Sequence, residues 1–337
     1  MRSPTHHRLR IGIALFAWLS LASPLLWATD WHHTLRPGES LAQVAVQCCG
    51  NASFADRISQ YNNLDQRFPA PVGARLRIPV AWLLQQPANA QLISVTGQVL
   101  DSRGRQWNVG DQISIGQQIT TAADSLALIR FADNSTLLVN PDALVTFDVL
   151  SVFGDAGMVD TLIRFERGRG ELKIIKSQQN RMRVSTPTGI AAVRGTEFRV
   201  AAGQAGTPSL VETTEGLVGF VPPGSGALVT LVDAGFGVIA ANSGVTKEAL
   251  LPAPGPLVAP SVPSHNATLS WPKLAGATGY QVQVFRLTNG ALQPVRIELV
   301  KRTRYQLADL VPATYQVQVR AVAASGLQGM DLSLIHI

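Results

Sequence analysis

Residues 185–200, STPTGIAAVRGTEFRV, decide how this 337-residue chain is read. The stretch opens on a turn signal, Thr186-Pro187-Thr188-Gly189, in which proline presets φ and glycine takes conformations closed to other residues. It then runs through small and β-branched residues into Val193-Arg194-Gly195-Thr196-Glu197-Phe198-Arg199-Val200, and 192–201 reads as a strand. It holds no histidine, no cysteine and no acidic pair, so nothing in it prepares a nucleophile or an acid–base couple. Arg194 and Glu197 are expected to hold neighbouring strands, and Gly195 to permit a bulge or a tight approach.

The surroundings share this character. From Ala90 onward the pattern is all-β. Residues 125–131 meet 135–139 across Ala132-Asp133-Asn134, a hairpin by loop length. Further strands are expected at 161–166, 170–175, 181–185, 210–212 with 216–221, and 228–232 with 235–240. Short strands at about ten-residue spacing, with glycine turns and no amphipathic helix, predict a sandwich or coiled β-stack. The expected fold class is mainly β.

Several pieces of this region, in order, resemble a FecR domain: G-Q-V, V-G-D-Q-I, T-T-A-A-D-S-L-A-L-I-R-F, A-D-N-S-T-L, G-R-G-E-L and A-V-R-G-T-E-F-R-V. The resemblance assigns 90–245 to a FecR-like β domain and implies an association with bacterial envelope signalling. The founding arrangement of that family places a cytoplasmic segment before one membrane span. Only ten residues precede the apolar run here, so its iron-signalling role is not carried over.

Residues 30–80 read as a small βααβ unit. Trp31-His32-His33-Thr34-Leu35 is a short strand, Arg36-Pro37-Gly38-Glu39 a turn, and Ser40 caps a first helix. Gly50-Asn51 breaks it; a second helix carries Phe54, Ile58 and Tyr61 at i, i+4, i+7, and 72–79 returns as a strand. The R-P-G-E-S-L turn, the Y-N-N-L helix end and the final G-A-R-L-R-I-P resemble a LysM domain. The resemblance implies binding of N-acetylglucosamine-containing glycan, peptidoglycan above all, in a groove between Gly38, Glu39, Ser40 and Leu41 on one side and Asn63 and Leu64 on the other. Backbone groups at such loop ends can read N-acetyl and hydroxyl groups while an apolar side chain receives the acetyl methyl. Glu39 stands where the family often has Asp, and Cys48-Cys49 where aromatic residues are common.

The N-terminus has a basic zone, an apolar zone and a small-polar zone, the pattern of a secretory signal peptide over 1–28 with Ala28 last before cleavage. The alternative is an uncleaved inner-membrane anchor, since 11–28 is just long enough to span a bilayer. Either way the body is expected in the periplasm or cell envelope. The formal charge of +6 owes three units to Arg2, Arg8 and Arg10, leaving 25 basic against 22 acidic residues, too little to imply nucleic acid. Nine cations between Arg164 and Arg199, interleaved with Glu166, Glu171 and Glu197, read as solvated strand faces with cross-strand pairs rather than as a patch for an anionic polymer or lipid head group.

After a proline-rich linker over 251–264, LPAPGPLVAPSVPS, residues 265–337 resemble a fibronectin type III-like sandwich. Trp271 would be its core tryptophan and Leu310 with Tyr315 its tyrosine corner. The domain is expected to be truncated, lacking room for a complete last strand.

Adjacent Cys48 and Cys49 close no loop and are not C-x-x-C, so they read as small apolar residues on a helix. No histidine falls in the β domain, and the sequence lacks G-x-S-x-G, H-E-x-x-H and P-loop motifs. The expectation is a protein that is not an enzyme and uses no cofactor or metal. It binds peptidoglycan through the LysM-like unit and presents its other domains to envelope partners. The alternative is a membrane-anchored FecR-type regulator.

Overall fold

Buried and half-exposed residues alternate along strand after strand, as in Ala90–Thr96 and Arg181–Thr186, and the fold is mainly β. The computed structural model describes residues 30–65, 69–153, 157–177, 180–193, 195–204, 206–225, 228–258 and 267–336, the last four as backbone only. The signal or anchor segment and Arg194 lie outside the described residues.

At the N-terminus, Asp30–Thr34 pairs antiparallel with Arg75–Pro79, and the helices Leu41–Cys49 and Phe54–Tyr61 lie between them in sequence. Val44, Ala45, Cys48, Ile58, Leu76 and Ile78 form the core of this unit. Phe153 and Met158, from the next domain, join the same cluster. The stretch after Trp82 is more than a connector: Gln85–Pro87 pairs with Ser151, Val152 and Phe153. The unit is therefore docked, through main-chain pairing and apolar contact, on the β domain.

The β domain is built from two sheets around one core that includes Leu92, Trp107, Phe147, Phe165, Phe198 and Phe220. The expected hairpin is present, with Ile129 opposite Leu137 and Asn134 in the left-handed conformation (φ 65) its turn requires. Two strands expected at 161–166 and 170–175 are one, Met158–Lys173. Its first half pairs with Leu144–Phe153 and Arg181–Thr186, its second with Thr136–Val139 and Glu197–Ala202. The strand thus leaves one sheet and enters the other. Gly168 sits at the crossing with φ +88, where an added Cβ would lie 2.4 Å from Ala143 Cα. A side chain there meets both a forbidden φ and a wall of backbone.

The 185–200 stretch makes a second crossing. The single strand expected over 192–201 is divided into Gly189–Val193, in the first sheet, and Glu197–Ala202, in the second. Gly195 lies between them at φ +62, where a Cβ would approach Lys176 Cγ to 2.6 Å. That is the tight approach its sequence context predicts. Glu197 faces Lys173 across the strands at 2.6 Å. The other cations of this region are largely paired too: Arg164 with Asp148 and Glu166, Lys176 with Glu215, Arg183 with Asp160.

The C-terminal unit packs Thr268–Ser270 and Arg304–Gln306 against a four-stranded sheet ordered Ala291–Val300, Ala277–Thr288, Tyr315–Ala323, Leu332–His336. Trp271 is buried on Tyr280, ring centroids 5.5 Å apart. Tyr315 Oη donates to Val311 O at 2.7 Å, the tyrosine-corner geometry. Leu332–His336 pairs along Tyr315–Ala323. The first half of the proline-rich stretch is also part of this unit. Leu251 and Leu257 pack on its core, and Val258 bridges Ser270.

Between the β domain and this last unit lies a buried polar network. Arg199 of the opening stretch, 4% exposed, reaches Glu212 at 3.5 Å and Asp331 at 2.9 Å, and donates to the carbonyls of Gln328 and Gly329. Arg169 joins Glu212 at 3.1 Å and donates to Gly326 O. Arg320, 1% exposed, joins Glu171 at 3.0 Å and Asp331 at 2.7 Å. Gln283 bonds both Glu171 and Arg320, Gln328 bonds Gln281, and the Gln328 N–H is donated to Glu212. Three guanidinium groups thus meet three carboxylates. Burial opposes ionisation of Glu171, but the charges of Arg320 and Arg199 outweigh it and hold its pKa below the ordinary value.

Removing one partner from such a network strands a buried charge, which costs about 3–5 kcal/mol. Arg199→Ala should lower urea stability by that amount, whereas Lys176→Ala, at an exposed pair, should leave the midpoint unchanged; equal midpoints for wild type and Arg199→Ala would contradict the burial argument. Because the folded pKa of Glu171 lies below 4.5, its contribution is full above that pH and lost as pH falls through the folded value. Between pH 7 and 3, wild type should therefore lose more stability than Glu171→Gln in parallel denaturation series.

Candidate functional site

The N-terminal groove begins with local chemistry. Ser40 is a true N-cap: its Oγ accepts the Gln43 N–H at 3.2 Å, and Gln43 Oε1 accepts the Ser40 N–H at 2.8 Å. This reciprocal box fixes the loop that enters the first helix. The preceding turn is tied by the Glu39 carboxylate, which accepts the Arg36 N–H at 2.9 Å and His33 Nε2–H at 2.8 Å. The Arg36 N–H above all, with His33 adding to it against the opposing effect of burial, holds Glu39 below the usual carboxylate range.

Gly38, Glu39, Ser40 and Leu41, together with Leu64, line a groove of about 280 Å³. Ala55, Asp56 and Ser59 of the second helix, with Pro69 and Ala70, complete it among the described residues. Five of the six residues singled out in the sequence therefore meet in one place. Asn63 is the exception. It adopts the left-handed conformation (φ 53), donates its N–H to Gln60 O, and stands outside the groove lining. Its contribution is the turn that delivers Leu64, whose N–H is donated to Ser59 O at 3.0 Å.

The neighbouring Asn62 has a role that helix-end patterning did not reveal. Its amide donates to Ile58 O and Arg77 O and accepts the Arg77 N–H at 2.7 Å, clamping the second helix to the return strand. Asp56 and Ser59 were likewise missed; they lie one helical turn apart, a signal readable only once the helix face toward Leu41 is known. The groove offers loop carbonyls and N–H groups, the carboxylates of Glu39 and Asp56, the hydroxyls of Ser40 and Ser59, and the apolar side chains of Leu41 and Leu64. That set suits a neutral ligand carrying both hydrogen-bonding groups and a methyl.

Cys48 and Cys49 are buried and in no disulfide. Burial pushes the Cys49 thiol up, against the opposing charge of Arg57, which disfavours a reactive thiolate. Among the described residues no group of three or more His, Cys, Asp or Glu is placed to hold a metal ion, and no helix is long and apolar enough to cross a membrane.

The family model described as FecR protein matches residues 117–219, so the chain carries a FecR domain there. The match contains Arg169, Glu171, Arg199 and Glu212, the β-domain half of the buried network. Among solved structures, a proposed anti-sigma factor from Parabacteroides distasonis ATCC 8503 is 19% identical with a TM-score of 0.34, covering 39% of this chain and 59% of that one. An Fn3-like protein from Clostridium thermocellum is 22% identical with a TM-score of 0.22, covering 26% of this chain and 92% of that one. The chain thus spans about three-fifths of the length of the anti-sigma factor it matches. No curated protein matches it.

Loss of the Ser40 cap should cost about 1 kcal/mol. Ser40→Ala is expected to lower stability by that amount in chemical denaturation, and Ser40→Asp to restore most of it. Equal stability of all three would show that the box does not hold the loop.

Proposed function

We propose that this chain is a non-catalytic envelope protein that binds N-acetylglucosamine-containing glycan, peptidoglycan in particular, through residues 30–80. One observation carries the reading: Gly38, Glu39, Ser40, Leu41 and Leu64, from two loops far apart in sequence, line a single groove. The mixture of main-chain polar groups and apolar side chains fits an N-acetyl sugar, which needs a methyl pocket and neutral hydrogen-bonding partners more than charge. The FecR domain and the C-terminal unit, joined by the buried network, would then be a body held at the cell wall and offered to envelope partners. In this reading the N-terminal segment directs export, to the periplasm or to an inner-membrane anchorage.

A second reading, a FecR-type signal-transducing regulator, is favoured by the FecR domain itself. The two differ in what retains the protein at the envelope.

The test is sedimentation with purified peptidoglycan. Wild type should pellet with it, and Asn63→Gly with Leu64→Ala should pellet markedly less; glycine keeps the left-handed turn, so the loop survives. Deleting residues 30–79 should abolish pelleting. A double variant that pellets like wild type would remove this groove from consideration, and pelleting of the deletion would place glycan binding elsewhere.

A further inference from the structure

Most cations of the β domain are neutralised within the fold, which makes the cations of the C-terminal unit conspicuous. Residues 267–336 hold seven Lys and Arg against three Asp and Glu. Arg296 lies near Glu298, and Arg320 is spent in the interdomain network. Four others, Lys273, Lys301, Arg302 and Arg304, gather around one recess of about 580 Å³. All four are exposed, and none has a side-chain partner among the described residues.

The recess is built on fixed elements. Tyr280, buried on Trp271, lies at its base. The Tyr280 hydroxyl accepts the Leu274 N–H at 2.8 Å, which ties down the loop bearing Lys273. The Trp271 N–H is donated to Thr303 O at 3.0 Å, which ties down the turn bearing Lys301 and Arg302. Arg304 opens a strand in register with Ser270. Four like charges are therefore held together by the backbone, with no acidic side chain in the lining to relieve them. Like charges so placed raise the local potential and favour an anion. Arginine forks and lysine ammonium groups together match phosphate oxygens. A concave recess admits a compact, multiply charged group better than a bilayer face.

We propose that this recess binds a compact polyphosphate-type group, with Arg302 and Arg304 as bidentate partners and Lys273 and Lys301 as neutralising charges. The site is separate from the glycan groove and stands or falls independently of it.

The probe is inorganic tripolyphosphate, titrated calorimetrically into the full chain, with phosphatidylglycerol vesicles as a second arm. Saturable binding that weakens with rising salt is expected. Lys301→Ala with Arg302→Ala, on an exposed turn, should weaken it at least about tenfold, and Lys273→Ala, in a separate loop, should weaken it as well. Lys173→Ala with Lys176→Ala removes two cations already paired with Glu197 and Glu215 and should change affinity less than about twofold. Thermal unfolding of each variant confirms an intact fold. Equal weakening by both pairs would reduce the effect to net charge and overturn the proposal. Absence of saturable tripolyphosphate binding, or binding to the vesicles alone, would overturn it too.

Discussion

A buried exchange of charge between Arg169, Arg199 and Arg320 and the carboxylates of Glu171, Glu212 and Asp331 governs how the last two units of this protein are joined. Charges withdrawn from water are tolerated only when each finds opposite charge and hydrogen bonds. Here each guanidinium meets at least one carboxylate, and three glutamines fill the remaining positions. Such a network adds less net stability than an apolar contact of the same size. It is, however, unforgiving of displacement, because any shift leaves a charge unpaired. It acts as a lock on orientation more than as glue. Apolar contact accompanies it, with Leu327 packed among Ala201, Leu210 and Leu250.

The lock depends in turn on two crossings within the β domain. Arg169 follows Gly168, where the long strand changes sheets; Arg199 follows the Gly195 crossing. Both crossings bring their arginines onto strands of the second sheet, and Arg169 stands opposite Ala201 in the ladder. Glycine at both places is a steric requirement: a Cβ would strike Ala143 backbone at one and Lys176 at the other. At the other end, docking of the N-terminal unit uses different physics, a short main-chain ladder and the side chains of Phe153 and Met158. The β domain is thus joined to both of its neighbours.

Much of the N-terminal groove is legible in the residues, because its parts are turns and caps. Gly38, Ser40 and the Asn62-Asn63 helix end announce their backbone conformations by chemistry alone. What those signals could not say is which side chain faces the groove. Asn63 and Leu64 are adjacent, yet only Leu64 lines it. Asp56 and Ser59 entered through the helix face they share, which depends on packing. Within the cation run from Arg164 to Arg199, the pairs of Arg164, Lys173, Lys176 and Arg183 are of the kind that alternation on strands implies, with opposite charges set beside each other. Arg199 and Arg169 belong to the same run and look no different in sequence, but they face the neighbouring unit instead of solvent.

The sequence by itself determined the class of fold, the βααβ order of the first unit, the hairpin at Asp133-Asn134, and the tight approach at Gly195. These follow from periodicity and from residues with few permitted backbone conformations, and both are local properties. Only the tertiary structure decided that 158–173 is one strand shared by two sheets, that 185–200 is a crossing, and that Arg199 reaches Asp331. It alone gathered Lys273 with Lys301, Arg302 and Arg304. Pairing across more than a hundred residues depends on which surfaces are buried together. No local pattern records that, because the same alternation of polar and apolar residues serves whether the polar face meets water or a second domain.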